Sequence, residues 1–394
     1  MKVLSIFGTR PEAIKMAPVV AALEGAPGIV SRICTTGQHR EMLDQVLKVF
    51  GIRPDHDLGL MRPGQGLNGL TARLFEAIDP ILIAEAPDRV LVHGDTTTAL
   101  AAALAAFHRQ IPVGHVEAGL RTGDLARPWP EEGNRRVIDA VADQLFAPTA
   151  RAERNLLAEA LGPREIHVTG NTVIDALGLA SARLATEDDP EIARLRALRA
   201  PGRRLVLVTG HRRENFGLGF AGICDALAAL AARDDVQIVF PVHLNPRVRE
   251  PVETALGHLP GEALRLLPPL DYLPFVWLLN EAHLVLTDSG GVQEEAPSLG
   301  KPVLVMRDVT ERPEAVEAGT ARLVGTDARR IVGAVTALLD DPGEHARIAR
   351  IANPYGDGRA ADRIVAAIQG TPIAGFAPVP ADLAAAVPRL AASA

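Results

Sequence analysis

Eight short apolar runs recur along the chain, each closed by Gly, Asp or another polar residue and followed by a longer helical pattern: VLSIFG, RVLVHGD, IPVGHVEAG, EIHVTGN, LVLVTGH, VQIVFPVH, HLVLTDSGG and PVLVM. Their hydrophobicity is continuous rather than alternating. Strands covered on both faces need that pattern, and strand–helix alternation is the signature of parallel sheets. The chain therefore reads as α/β, built from doubly wound, Rossmann-like sheets, with ligands expected outside the carboxyl ends of the strands.

A length of 394 residues favours two domains over one. The pattern degrades over residues 181–204, where a charged helical piece is interrupted by Pro190 and closed by Pro201 and Gly202. The expected organisation is a first domain over 1–180 and a second over 203–352. A helical piece over 353–369 packs back on the first domain, and 370–394 form an Ala/Pro-rich, loosely held tail. Two domains facing one another would place the site in a cleft between them. The formal net charge of -7 argues against nucleic acid or an anionic membrane as partner, since both select a basic surface. MKVLSIFGTRPE is too short for a secretory leader and reads as a first strand. No apolar stretch approaches the ~20 residues of a membrane helix. Cys34 and Cys224 lie far apart with no metal-ligand spacing, so two reduced buried thiols in a cytoplasmic protein are expected, without structural zinc.

Polar clusters crowd the strand ends. Gly8-Thr9-Arg10-Pro11-Glu12 follows the first strand, and Arg10 and Lys15 would bring two positive charges to a helix N-terminus, which suits a phosphate. A capping Thr9 with solvated charges is the competing reading. Asp95, after the strand RVLVH, is either an N-cap or a functional acid. Glu117 directly follows an apolar strand, where a carboxylate is costly unless paired or working. Glu131 and Glu132 open a further helix, so three successive strand–loop–helix units would each deliver a carboxylate, Asp95, Glu117 and Glu131, to one sheet edge. Such a set can perform acid–base work, and its crowding should raise at least one pKa. In the second half, His211 and Arg212 crowd the end of LVLVT, suited to neutralising a phosphoryl leaving group. The backbone of Ser289, Gly290 and Gly291 can cradle a diphosphate, with Glu295 one turn on for ribose hydroxyls. Phe275 is open to either base contact or core packing.

Together these motifs resemble one family, the bacterial non-hydrolysing UDP-N-acetylglucosamine 2-epimerases. GTRPEAIKMAP, HGDTTT, GHVEAGLRT, PEE with Asn134-Arg135, TGNTVIDAL, GHRREN, PVHLNP, DSGGVQEE, TERPE and NPYGDG stand in that family's order from residue 1 to about residue 369. The resemblance implies two Rossmann-like domains in a GT-B-like arrangement, a homodimer, and interconversion of UDP-GlcNAc and UDP-ManNAc. The route it implies is elimination of UDP to 2-acetamidoglucal and re-addition with C2 inverted, using no metal and no nicotinamide. It implies acid–base roles for Asp95, Glu117 and Glu131, with His211 as an essential partner. UDP contacts would come from Arg10, Ser289, Gly290, Gly291 and Glu295, with Arg312 close to the phosphates.

One departure bears on regulation. Members of the family activated by a second UDP-GlcNAc carry a Gln after the QHR stretch and an Arg before the Gln of the following loop; the matching positions here are Glu41, after Gln38-His39-Arg40, and Gly64. An activating site built around Gln38, Glu41 and His243 would thus be weak or absent. The competing functions are a GT-B glycosyltransferase using a UDP-sugar, an epimerase of a modified UDP-N-acetyl sugar, release of free ManNAc by hydrolysis, and a noncatalytic sugar-nucleotide sensor.

Overall fold

The computed structural model describes residues 1–378 apart from 38, 39, 61, 63 and 187, with 40–42 described by their backbone alone. It divides into two compact units, Met1–Leu179 with Tyr355–Ala377, and Ala180–Pro354.

The first unit holds a seven-stranded parallel sheet formed by β1 (Lys2–Phe7), β2 (Val30–Thr35), β3 (His56–Asp57), β4 (Arg89–His93), β5 (Val113–Val116), β6 (Gln144–Ala147) and β7 (Glu165–Val168), in the order β3-β2-β1-β4-β5-β6-β7. Alternate residues of β1 serve opposite faces. Leu4 and Ile6 join one core cluster, while Val3 and Phe7 join the other. Each such burial contributes roughly 1.5–3 kcal/mol, which is why the runs carry no polar alternation. The second core also takes in Ile364, Val365 and Ile368 of the helix Ala360–Ile368, so the chain's last helix packs on this unit.

A six-stranded parallel sheet forms the second unit: β8 (Arg204–Thr209), β9 (Val236–Pro241), β10 (Leu264–Leu267), β11 (Leu284–Thr287), β12 (Val303–Val305) and β13 (Ala321–Leu323), ordered β10-β9-β8-β11-β12-β13. The charged piece read from sequence as a boundary contains a helix, Pro190–Ala197, which buries Ile192 and Leu195 within this unit.

The tail expectation needs correcting over its first residues. Phe376 donates its amide to the Val168 carbonyl at 2.7 Å and its ring is buried, so the chain up to Ala377 extends along the end of β7. Ile373 also packs against the core and Arg363 donates to the Ala374 carbonyl, so the segment is tied at several points. The remainder of the tail, 379–394, lies outside the described residues.

Sheet order reverses between β1 and β4 in the first unit and between β8 and β11 in the second. Loops leaving strands on either side of such a reversal diverge and open a crevice at the carboxyl edge. GTRPE and HGDTTT flank the first reversal; GHRREN and DSGG flank the second. The polar crowding after each strand follows from this topology.

Candidate active site

In the first unit the loop after β1 is fixed by a capping box. Thr9 caps the helix Arg10–Gly25, and buried Glu12 reaches back to the amides of Gly8 and Thr9 at 3.1 and 2.8 Å while accepting from the Thr96 hydroxyl at 2.7 Å. Burial pushes the Glu12 carboxyl above its ordinary range against those hydrogen bonds. Gly8 is required by close approach: a Cβ there would sit 2.0 Å from Thr36 Oγ1. Arg10 is the first helical residue, partly buried at this edge, and Pro11 is the second.

Glu117 directly follows β5 with φ at +69°, a left-handed conformation that costs a non-glycine residue on the order of 1 kcal/mol and concentrates at functional sites. Its carboxylate takes two bonds from Lys15 Nζ at 2.6 and 2.8 Å, and His93 Nε2 lies 2.8 Å away. All three side chains are largely buried. Lys15 thus lies on a carboxylate, where the sequence suggested a phosphate. Asp95 is not a cap either: Thr96 caps the helix Thr97–His108, accepting from the Ala99 amide, while the Asp95 carboxylate pairs with Arg135 at 2.6 Å and its carbonyl accepts from Asn134 Nδ2.

Glu131 and Glu132 have divergent fates. Glu132 is fully buried and accepts from the amides of Thr122 and Gly123 and from Arg135, which shapes the loop. Glu131 is partly buried at the start of the helix Glu131–Val141, and its carboxylate makes no hydrogen bond or ion pair among the described residues. The expectation of three successive units is corrected here. Glu117 and Glu131 bound the same loop, between β5 and the next helix, so two units supply the three acids. Like-charge crowding is also offset, by Lys15 at Glu117 and by Arg135 at Asp95.

In the second unit, Asp288 answers for the crowded end of β8. Fully buried after β11, it accepts from the amides of His211 and Arg212 at 3.0 and 2.9 Å and from Asn215 Nδ2 at 3.1 Å. His211 stacks on His243, with ring centroids 5.8 Å apart. Desolvation lowers the His211 pKa, opposed by Asp288 and assisted by Arg212, His243 and Arg307. That shift favours the neutral ring, which would serve as an N–H donor. Arg212 Nη2 binds Glu311 at 2.7 Å, Arg307 binds Glu311 at 2.6 Å, and Arg312 pairs with Glu294. Burial would raise the Glu311 carboxyl, but Arg212 and Arg307 hold it down to about 2. These groups converge over the glycine turn: a Cβ at Gly290 would lie 3.5 Å from Arg212 Nη2 and 3.9 Å from Arg312 Cζ. Ser289 occupies the N-cap position of the helix Gly290–Glu295, which includes Gly291, without a side-chain capping bond. Tyr272 donates to buried Glu295 at 3.0 Å, and Phe275 lies one turn further along the Tyr272 helix, partly buried. Gln38 and the Glu41 side chain lie outside the described residues, and Gly64 is in a turn.

A family model described as UDP-N-acetylglucosamine 2-epimerase matches residues 21–369. The chain belongs to the UDP-N-acetylglucosamine 2-epimerase family. It is 59% identical over 372 residues to the UDP-N-acetylglucosamine 2-epimerase of Salmonella typhimurium, covering 94% of this chain and 98% of that one. Its fold matches the Neisseria meningitidis UDP-GlcNAc 2-epimerase bound to UDP-GlcNAc with a TM-score of 0.87 at 47% identity, over 94% of this chain and all of the other. The Methanocaldococcus jannaschii enzyme in complex with UDP-GlcNAc and UDP matches at 0.78 and 35%, again over 94% and 100%. In this epimerase-family chain, sequence reasoning passed over Glu12, His93, Arg135, Asp139, Asp288 and Glu311. Asp288 had a signal, an acid directly after an apolar strand, as at Glu117. His93, within a strand, offered none beyond its polarity.

Proposed function

We propose that the chain interconverts UDP-N-acetylglucosamine and UDP-N-acetylmannosamine, the first unit acting on the sugar and the second on the nucleotide. The observation that carries the reaction type is the acid edge of the first sheet, with Asp95 and Glu117 each on its own cation and the Glu131 carboxylate unpaired among the described residues. A base removes the C2 proton as the C1–O bond to the diphosphate breaks, giving 2-acetamidoglucal and UDP. The UDP oxygen then re-adds to C1, and a proton is delivered to the opposite face of C2. No net redox change occurs. Glu131 can take up and release a proton without breaking an ion pair, which suits it to one of the two proton transfers. Charge builds on the departing diphosphate, and the amides of Ser289 to Gly291, the guanidinium groups of Arg212 and Arg312, and the His211 N–H supply donors for it. Each well-placed donor lowers the barrier by about 3 kcal/mol, so several are needed for an enzymic rate. Glu295, oriented by Tyr272, is assigned to the ribose, and Phe275 to the base.

Incubation with UDP-GlcNAc alone in D2O, followed by NMR at C2, tests this. Deuterium in both epimers is expected; turnover only with an added acceptor would point to glycosyl transfer, free ManNAc to hydrolysis, and no exchange to a binding protein. The same rates read against substrate concentration test regulation. Glu41 and Gly64 in place of Gln and Arg should leave the curve hyperbolic, and a strongly sigmoidal one would overturn that part. A homodimer in a cytoplasmic setting completes the reading. Two buried free thiols support the setting, burial pushing Cys34 up to about 12 and Cys224 to about 11, and no described helix is long and apolar enough to cross a membrane. Sedimentation at the mass of one chain would remove the dimer, and a disulfide in the purified protein would remove the reducing compartment.

A further inference from the structure

We infer that His115 is a positioning residue, held as an imidazolium, which fixes the backbone of the Asp95 loop relative to that of the Glu117 loop. The inference rests on the assignment of those two carboxylates to the reaction. His115 lies within β5 with its side chain fully buried, at a place where a strand covered on both faces ordinarily carries Val or Ile. Its Nε2 is 2.8 Å from the Gly94 carbonyl and its Nδ1 is 2.6 Å from Asp139 Oδ1. A carbonyl oxygen only accepts, so Nε2 carries a proton. The other Asp139 oxygen accepts from Arg121 Nη2 at 2.7 Å and from the Gly119 amide at 3.2 Å, and Arg121 is itself held by Glu159 through two bonds. Two donors on that one oxygen, one of them a guanidinium, mark Asp139 as an ionised carboxylate. An ionised carboxylate also only accepts, so Nδ1 carries a proton too.

The two ends of this bracket matter for the chemistry. Gly94 immediately precedes Asp95, and Gly119 lies two residues after Glu117. A neutral ring could donate to only one of its two partners and would release the other. Burying an ion pair adds little net stability compared with apolar packing, so what the bracket supplies is spacing. A misplacement of about 1 Å at a reacting group costs on the order of a hundredfold in rate.

The test uses the full-length protein labelled with 15N-histidine at pH 7.5, with His115→Gln to assign the resonances. Both His115 ring nitrogens are expected at N–H shifts; one at the shift of an unprotonated imidazole nitrogen would overturn the inference. In turnover, His115→Gln, which retains a single donor group, should lower kcat about a hundredfold while KM for UDP-GlcNAc stays within about twofold, because the UDP contacts belong to the second unit. An unchanged kcat, or a KM that rises in proportion to the loss, would overturn the positioning role. Asp139→Asn should give the same split and serves if the histidine variant does not fold. Wild-type protein that fails the D2O exchange removes the functional reading and this role with it, whereas an unprotonated ring nitrogen in an active wild type removes only the inference.

Discussion

Replacing Glu117 by Gln should reduce turnover on the order of a thousandfold while leaving UDP affinity within about twofold. Three observations set the size of the effect. The carboxylate is 8% exposed, it takes both bonds that Lys15 makes to it, and its backbone is held in a left-handed conformation that a relaxed strand end would abandon. Gln preserves shape but offers one acceptor instead of two, and it cannot move a proton. It also leaves the Lys15 ammonium, 13% exposed, facing an uncharged amide. Losing one member of a buried pair ordinarily costs about 3–5 kcal/mol, moderated here by the acceptor that Gln retains. Adding Lys15→Met should therefore recover part of the stability and none of the activity. UDP binding by calorimetry is expected to be unaffected, since Ser289, Gly290, Gly291 and Arg312 stand on the second unit. A Glu117→Gln enzyme within tenfold of wild type would remove Glu117 from the chemistry. A parallel loss of UDP affinity would show that the two units cannot be assigned separate tasks.

What was legible in the sequence is what strand ends reveal. Continuous apolar runs such as RLVLVT fix where strands lie, and the residue that follows each run falls on the carboxyl edge wherever sheets are parallel. Asp95, Glu117, His211 and Ser289 could therefore be placed on site edges without knowing a single contact. Contacts themselves were hidden, because partners sit far apart in the chain: Lys15 and Glu117 are separated by 102 positions, Arg212 and Glu311 by 99. Lys15 carries the same charge whether it meets a phosphate or a carboxylate, and nothing local decides between them. Adjacent acids were equally undecidable. Glu131 and Glu132 are chemically alike, and only the amides of Thr122 and Gly123, brought round by the loop, consume one and leave the other. The charge on His211 depends on desolvation and on Arg307 and His243 nearby, which no reading of GHRREN contains. His115 was passed over for a related reason. Within an apolar strand a histidine resembles packing until Gly94 and Asp139, from two other segments, are found on its two nitrogens.

The motifs TGNTVIDAL and NPYGDG, which the reaction does not use, meet at the second large effect, on stability. The Asn171 amide donates to the Tyr355 carbonyl, and the Asp175 carboxylate accepts from the Ala361 amide at 2.8 Å, capping from another segment a helix whose own N-cap, Arg359, has no side-chain bond. The second Asp175 oxygen is buried without a hydrogen-bond partner among the described residues. Burial, with Asp357 adding to it and the Ala361 and Ala360 amides opposing, raises the Asp175 pKa from 3.8 to about 6. Because the folded value exceeds the unfolded one, folding is assisted below pH 4, where both states hold the proton. That contribution is lost as pH rises through 6, up to a ceiling of about 3 kcal/mol. Asp175→Asn keeps the accepting oxygen on Ala361 and removes the charge. It should raise the unfolding free energy of the first unit at pH 7.5 by about 1–2 kcal/mol, short of the ceiling because an amide oxygen accepts less strongly than a carboxylate. The gain should shrink toward zero near pH 4.5. Urea unfolding of both proteins at the two pH values decides it. A gain of equal size at both would mean that the variant improves packing and that the buried carboxylate costs nothing. A loss at pH 7.5 would mean that the charged cap outweighs its own desolvation.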